Sequence, residues 1–400
     1  MFIDGLDQSW FKTPFLKHHF LIKSSEQIQE IIESGASHVY IDTSRGLDYS
    51  AGETPPEAVV WSNAAEPVRP DSPEGPTQKE IKEYIRQKDI FLPVNRQTLM
   101  PGSHINFSLY RKTGLVINPF VEFSGNDILI DEGILKIEGE FLVINEEIRK
   151  YKDYLNSIIK SDSGTSIVIK NVVLKENTNI LIRDLMQEPR SGEKIQACKQ
   201  AVEDIIGAIQ NSRNLVTNLL TLNKYDYYTY MHCVEVSVLS ISAAMALGMQ
   251  KDRELFALGI GSLLHDIGKS SIPPEVLNKP GKLTEAEFSV MKRHVLEGKK
   301  ILAGHQDISH ESLLPVLEHH EKLNGTGYPL GLRDNDIHYT GRIVAIADTY
   351  DAITTTRPYQ KSMTPFEALS IIKNKPDLYD MEIFKGFVQM LGQRALDNGD

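Results

Sequence analysis

Cysteine is nearly missing from this 400-residue sequence. With only Cys198 and Cys233, no disulfide framework can be read, and a reducing, cytoplasmic setting is expected. Basic residues are also short, 43 Lys and Arg against 54 Asp and Glu, for a net charge of −11. That balance argues against a broad surface for nucleic acid polymers or anionic membranes, and confines anion binding to a locally positive pocket. Long apolar runs are absent as well. The longest, from Val236 to Met249, is too short for a bilayer and is broken by Ser237, Ser240 and Ser242, so no membrane span is expected. The start carries Asp4 and Asp7 and no basic stretch before an apolar core, so no signal peptide is expected.

What is there is ordinary globular composition, 41% hydrophobic and 24% charged, with length for roughly two or three domains. Residues 1–62 read as a small α/β unit. Phe20-Leu21-Ile22 suits a strand, Ser24 and Ser25 can cap a helix over 26–33 that Gly35 stops, and 38–42 suits a second strand. Residues 63–86, with Pro67, Pro70, Pro73 and Pro76, have linker composition. Residues 87–150 read as a β-rich module in which Leu115-Val116-Ile117, Ile128-Leu129-Ile130 and Phe141-Leu142-Val143-Ile144 alternate with turn residues, and nothing there looks catalytic. Residues 151–192 read as a connecting segment, and 193–392 as an all-α domain. Ile195, Cys198, Val202, Ile205 and Ile209 step by three and four, giving one apolar stripe that suits a core or the seam of a homodimer.

The chemistry lies between Tyr230 and Tyr359. His232 stands in an apolar helix, followed by His265-Asp266-Ile267-Gly268-Lys269, His294, His319-His320-Glu321, and Asp348 with Asp351. Imidazole with carboxylate suits borderline divalent metals, and no cysteine is seen to cluster with them, which argues against a thiolate zinc site. Each piece alone has a bland reading: a surface pair, a half-exposed helix residue, an acid at a helix end. Neighbouring residues on a helix diverge by about 100°, so each doublet can serve one small cluster only near a helix end, with Gly268 as a place for the chain to relax.

The order of these residues, with Lys279-Pro280-Gly281-Lys282, Gly325-Thr326-Gly327-Tyr328-Pro329 and Arg357-Pro358-Tyr359, resembles the HD-GYP family of bacterial phosphodiesterases that hydrolyse cyclic di-GMP. The likeness covers about half the chain and implies an all-α HD-superfamily domain with two divalent ions, iron or manganese. His232, His265, Asp266 and Asp348 would take one ion. His294, His319 and His320 would take the other, with Asp266 bridging. The resemblance implies in-line attack by a metal-bridging hydroxide, giving the linear dinucleotide pGpG and then GMP, with Asp266 and Lys269 catalytic. Two ions carry about +4, and two carboxylates with one hydroxide remove about three, which leaves a site suited to one phosphodiester anion. Lys269, Gly327, Tyr328, Pro329, Asp351, Arg357 and Lys361 would meet substrate, and the Gly-Tyr-Pro loop would also offer a contact for diguanylate cyclase domains.

Three departures from the family pattern stand out. Tyr228 replaces a glutamate that helps some members hold a third metal, so two ions are expected. Gln360, with Lys361 beside it, replaces a lysine, which favours the alternative of a catalytically weak module that binds a cyclic dinucleotide or a partner. Asn324 replaces an aspartate before the glycine turn, and little effect is expected. Ser9-Trp10, Pro14-Phe15 and Ile41-Asp42-Thr43-Ser44-Arg45-Gly46 resemble the uncharacterised small domain that often precedes HD-GYP domains, here expected to lack its first strand.

Overall fold

The computed structural model describes residues 2–6, 20–21, 39–41, 90–160, 165–211, 229–279, 281–355 and 363–397. The helix read over 26–33, the proline-rich stretch 63–86, Tyr228, Arg357, Gln360 and Lys361 lie outside them. The chain divides into two compact units, Met1–Ser72 and Pro73–Asp400.

The first unit contains an antiparallel sheet of β1 (Phe2–Leu6), β2 (Phe20–Leu21) and β3 (Val39–Ile41), in the order β2-β1-β3. The outer strands are those read from the sequence; the central one is new. Its Phe-Ile-Asp-Gly-Leu run lacks strict alternation, and the register shifts between Ile3 and Gly5, an irregularity that a period-of-two pattern misses.

In the second unit, β4 (Phe91–Val94), β5 (His104–Ile105), β6 (Leu109–Thr113), β7 (Val116–Val121), β8 (Ile128–Leu129), the short helix α1 (Glu132–Lys136) and β9 (Glu140–Ile144) build the β-rich module. Four strands form an antiparallel sheet ordered β4-β9-β6-β7, with β5 and β8 paired separately. Pro93 and Pro119 fall on the two outermost strands, where a missing N–H breaks no central ladder. Val94, Phe107, Leu109, Phe141 and Val143 are fully buried beneath the sheet.

The stretch read as a connection is mostly helix. After α2 (Ile148–Lys160) comes α3 (Ile167–Gln187), packed on α2, on α4 (Gly192–Asn211) and on α5 (Thr229–Ala246). Its apolar period is blurred because Lys175, Glu176, Thr178 and Asn179 are buried with Val172, Val173 and Ile180, which conceals the helix from pattern reading. Lys175 forms an ion pair with Glu235 of α5, and the Tyr151 hydroxyl donates to Glu176 at 3.3 Å. Helix α3 is thereby joined to α5 by an ion pair and to α2 by a hydrogen bond as well as by packing.

That domain continues with α6 (Asp252–Leu263), α7 (Pro274–Leu277), α8 (Glu285–Met291), α9 (His294–Leu302), α10 (His310–Glu318), α11 (Tyr339–Thr354), α12 (Pro365–Lys373) and α13 (Met381–Asp397). The stripe on α4 is core: Ile195, Cys198, Val202, Ile205 and Ile209 are buried, and α4 packs on α6. At the centre stands α5, buried at every position from Tyr230 to Ala244. Full burial of a side chain such as Leu239 contributes about 1.5–3 kcal/mol, so this helix is held rigidly among α3, α6, α11 and α13. No described helix is long and apolar enough to cross a membrane.

Candidate metal centre

The sequence sets its two doublets at helix ends. Helix α6 closes at Leu263, so His265 and Asp266 lie in the turn before a 3-10 segment at Ile267–Ser271. Helix α10 closes at Glu318, with His319 as its cap and His320 just beyond. Freed from helical divergence, both side chains of each doublet reach one cluster. His232 enters from α5, His294 from the first position of α9, and Asp348 from α11. Gly268 is needed for proximity rather than relaxation: a Cβ there would lie 1.9 Å from the His294 carbonyl oxygen and 2.4 Å from the Gly298 nitrogen. The doublet turn is thus seated directly on α9.

Two groups of ligand atoms result, His232 with His265 and Asp348, and His294 with His319 and His320. Asp266 lies between them. Its Oδ2 is 3.4 Å from His265 Nε2 and 3.8 Å from His232 Nε2, while its Oδ1 is 3.3 Å from His294 Nε2. Asp348 has Oδ1 at 3.0 Å from His232 Nε2 and Oδ2 at 3.8 Å from His320 Nδ1.

Hydrogen bonding sets the tautomers. The Nδ1–H of His265 donates to the Ser262 carbonyl at 2.7 Å, that of His294 to Met291 at 2.8 Å, and that of His319 to Val316 at 3.0 Å. A carbonyl can only accept, so the proton sits on Nδ1 and each Nε2 presents a lone pair inward. Burial lowers His294, places His319 well below its ordinary value, and pushes His320 down to about 3. Burial would raise Asp266, but the Lys269 ammonium and neighbouring imidazoles outweigh it and hold the carboxyl well below the usual range. Asp348 is likewise held low, burial being outweighed by His232 and His320.

The centre therefore gathers acceptors that face acceptors. His265 Nε2 and Asp266 Oδ1 are buried without a hydrogen-bond partner, and His294 Nε2 meets His319 Nε2 at 3.4 Å. Such an array is matched by cations, and the donor set of imidazole and carboxylate suits a borderline divalent metal. The residues present fit metal ions.

Several residues take places that the sequence did not indicate. Asp351 was expected to face substrate; it is buried, and its Oδ2 accepts from His232 Nδ1 at 2.6 Å, the arrangement that orients a metal-ligating histidine. Cys233 does cluster with His265 and Asp266, contrary to expectation, but burial raises its thiol well above the usual range and keeps it neutral. Glu321 is no ligand: its carboxylate accepts from the backbone amides of Leu330, Gly331 and Leu332 at 2.7–3.1 Å and so anchors the glycine loop. Within that loop, Gly325 holds a φ of +78°, which favours glycine, whereas Gly327 is packed against the Glu321 backbone. Tyr328 lies 4.7 Å from the His320 ring at 32°, and burial raises its phenol. Lys269 forms an ion pair with Asp266. A separate cavity of about 500 Å³, lined by Met249, Arg253, Glu254, His338 and Tyr339, shares no residue with this cluster.

A helical bundle that converges five histidines and two aspartates on one cluster defines an HD-domain protein, and residues 212–383 match the family described as HD domain. Residues 1–214 match the Domain of unknown function (DUF3391). The chain belongs to the HD-GYP proteins that carry this N-terminal domain. It is 29% identical to "Cyclic di-GMP phosphodiesterase PA4108" of Pseudomonas aeruginosa over 98% of this chain and 74% of the relative. It is 43% identical to "Cyclic di-GMP phosphodiesterase response regulator RpfG" of Xanthomonas campestris pv. campestris over 32% of this chain and 34% of that protein. It is 35% identical to "3'3'-cGAMP-specific phosphodiesterase 1" of Vibrio cholerae over 44% of this chain and 39% of that one. The chain thus spans under half the length of the latter two. The solved structure of Bd1817, a HDG"Y"P protein from Bdellovibrio bacteriovorus, aligns over 76% of this chain and 99% of its own with a TM-score of 0.59 and 20% identity, which shows a shared fold.

Proposed function

We propose that this chain is a metal-dependent phosphodiesterase that opens cyclic di-GMP to the linear dinucleotide pGpG and onward to GMP. The observation that carries the reading is the array of inward lone pairs in two groups joined by Asp266. The cyclic-dinucleotide activities named for its relatives support the substrate class. In this reading His232, His265, Asp266 and Asp348 hold one ion, and His294, His319 and His320 hold a second, with Asp266 shared. Iron or manganese suits these donors, since the neutral Cys233 thiol offers no thiolate. When bound, the ions supply Lewis-acid charge and an activated water for in-line displacement at phosphorus.

The chain's own groups do the rest. Lys269 offers its ammonium to a non-bridging phosphate oxygen beside Asp266. Asp351 keeps the His232 ring turned so that Nε2 faces the cluster. Glu321 holds the loop that carries Gly327, Tyr328 and Pro329 beside the cluster. Arg357 and Lys361 are assigned to the second phosphate.

The test is anaerobic purification with metal analysis, followed by turnover of cyclic di-GMP. Asp266→Ala should lose both bound metal and turnover, with its circular dichroism retained. Full activity in that variant overturns the reading.

A further inference from the structure

Beside the metal-binding cluster is an aromatic corner that the ligand set does not use. The rings of Phe288 and Tyr328 stand at 86° to one another, with centroids 6.0 Å apart. The Lys292 ammonium lies over both faces, 5.2 Å from the Phe288 centroid and 5.8 Å from that of Tyr328. Phe288 is 45% exposed, so one side of its ring is open to a ligand. Its position is nonetheless firm. Helix α8 starts with a capping box in which Thr284 and Glu287 bond one another's backbone, so the turn that carries Phe288 is well defined. Tyr328 is backed by His320, and that imidazole belongs to the second group of ligand atoms. Among the described residues, no carboxylate pairs with Lys292.

We infer that Phe288, Lys292 and Tyr328 form a guanine subsite, which seats one base of the cyclic dinucleotide while a phosphate lies at the metal-binding cluster. This rests on the function proposed above. The exposed Phe288 ring, held edge-to-face against Tyr328, offers the face on which a flat purine stacks. The Lys292 ammonium, attracted by both ring faces, keeps N–H donors for an oxygen or nitrogen acceptor beside them, and guanine offers O6 and N7 on a single edge. Adenine replaces O6 by an amino donor, which a lysine ammonium repels. The corner therefore selects guanine by chemistry and not by shape alone.

The experiment is calorimetric binding of cyclic di-GMP and cyclic di-AMP to metal-free protein, with turnover of cyclic di-GMP measured separately on metal-loaded protein. Phe288→Ala should weaken cyclic di-GMP binding by about tenfold or more, and Phe288→Trp should restore it. Lys292→Met should lower the preference for cyclic di-GMP over cyclic di-AMP by about tenfold. In turnover, Phe288→Ala should raise KM far more than it lowers kcat, which a fault in the metal centre would not do. Turnover by the wild type, with unchanged affinity in Phe288→Ala and unchanged base preference in Lys292→Met, sinks the subsite and leaves the proposed function standing. Binding with the predicted losses, but no turnover with iron or manganese, sinks the function and leaves the subsite. Absence of both binding and turnover in the wild type sinks both.

Discussion

His294 and His319 point their Nε2 atoms at each other across 3.4 Å, although each ring has committed its Nδ1–H to a carbonyl of its own chain segment. Two lone pairs at that separation repel unless a cation lies with them. The helix ends that bring them there come from separate parts of the chain, and both are fully buried, so the pair cannot swing apart without unpacking the bundle. This is the physical basis for treating the cluster as a metal centre rather than a set of satisfied core histidines.

Asp351 should matter to metal affinity without being a ligand. Asp351→Asn keeps the shape and removes the charge behind His232. Outer partners of this kind typically alter metal affinity about 10–100-fold. Titration with manganese should show that loss, with turnover recovered at excess metal. An unchanged titration would mean that His232 needs no orienting partner.

The buried pair Lys175–Glu235 should reveal itself in stability. Lys175→Met removes the ammonium that pairs with Glu235 in the interior, and breaking a buried pair from one side costs about 3–5 kcal/mol. Lys175→Met with Glu235→Leu should regain most of it, because the buried carboxylate is then gone as well. Chemical denaturation of the three proteins decides the point: a double variant no more stable than the single one contradicts it.

Glu176 predicts a pH dependence. Burial pushes its carboxyl up from 4.5 to about 7, against the opposing pull of Lys175 and Tyr151. Below pH 4.5 both folded and unfolded chains hold the proton, and this group adds no slope. As pH rises from there towards 7, the unfolded chain releases the proton first, so stability falls by about 3 kcal/mol and then levels off. Glu176→Gln should flatten that part of the profile, seen as a smaller drop in Tm between pH 5 and 7. An identical slope in the variant would assign the dependence elsewhere.

Asn324 should not be interchangeable with aspartate, although its place in a turn suggests that it is. Its Nδ2 donates to Asp377 Oδ2 at 3.0 Å while its Oδ1 caps Thr326. Asn324→Asp sets a half-buried carboxylate against the exposed one of Asp377, for a loss of about 0.5–1.5 kcal/mol. The deficit should shrink in high salt, which screens exposed like charges. A Tm equal to that of the wild type at low salt would refute this.

Residue order, through the family it resembles, pointed to the helical domain and to the seven side chains that the fold brings together, and local geometry allows each doublet because the chain ends helices at Leu263 and Glu318. The α4 stripe and the sheet character of the middle module were legible for the same reason, since burial on one face writes a period into the chain. Only tertiary structure decided the remainder. Asp351 reaches His232 across 119 positions, Gly268 is dictated by a helix crossing, Cys233 turns into the cluster, and Phe288 meets Tyr328 on another element. Helix α3 was hidden because a helix that buries charge on one neighbour and apolar surface on another carries no clean period. Local pattern records how a residue meets its own element, whereas partners brought together by packing leave no mark at fixed spacing.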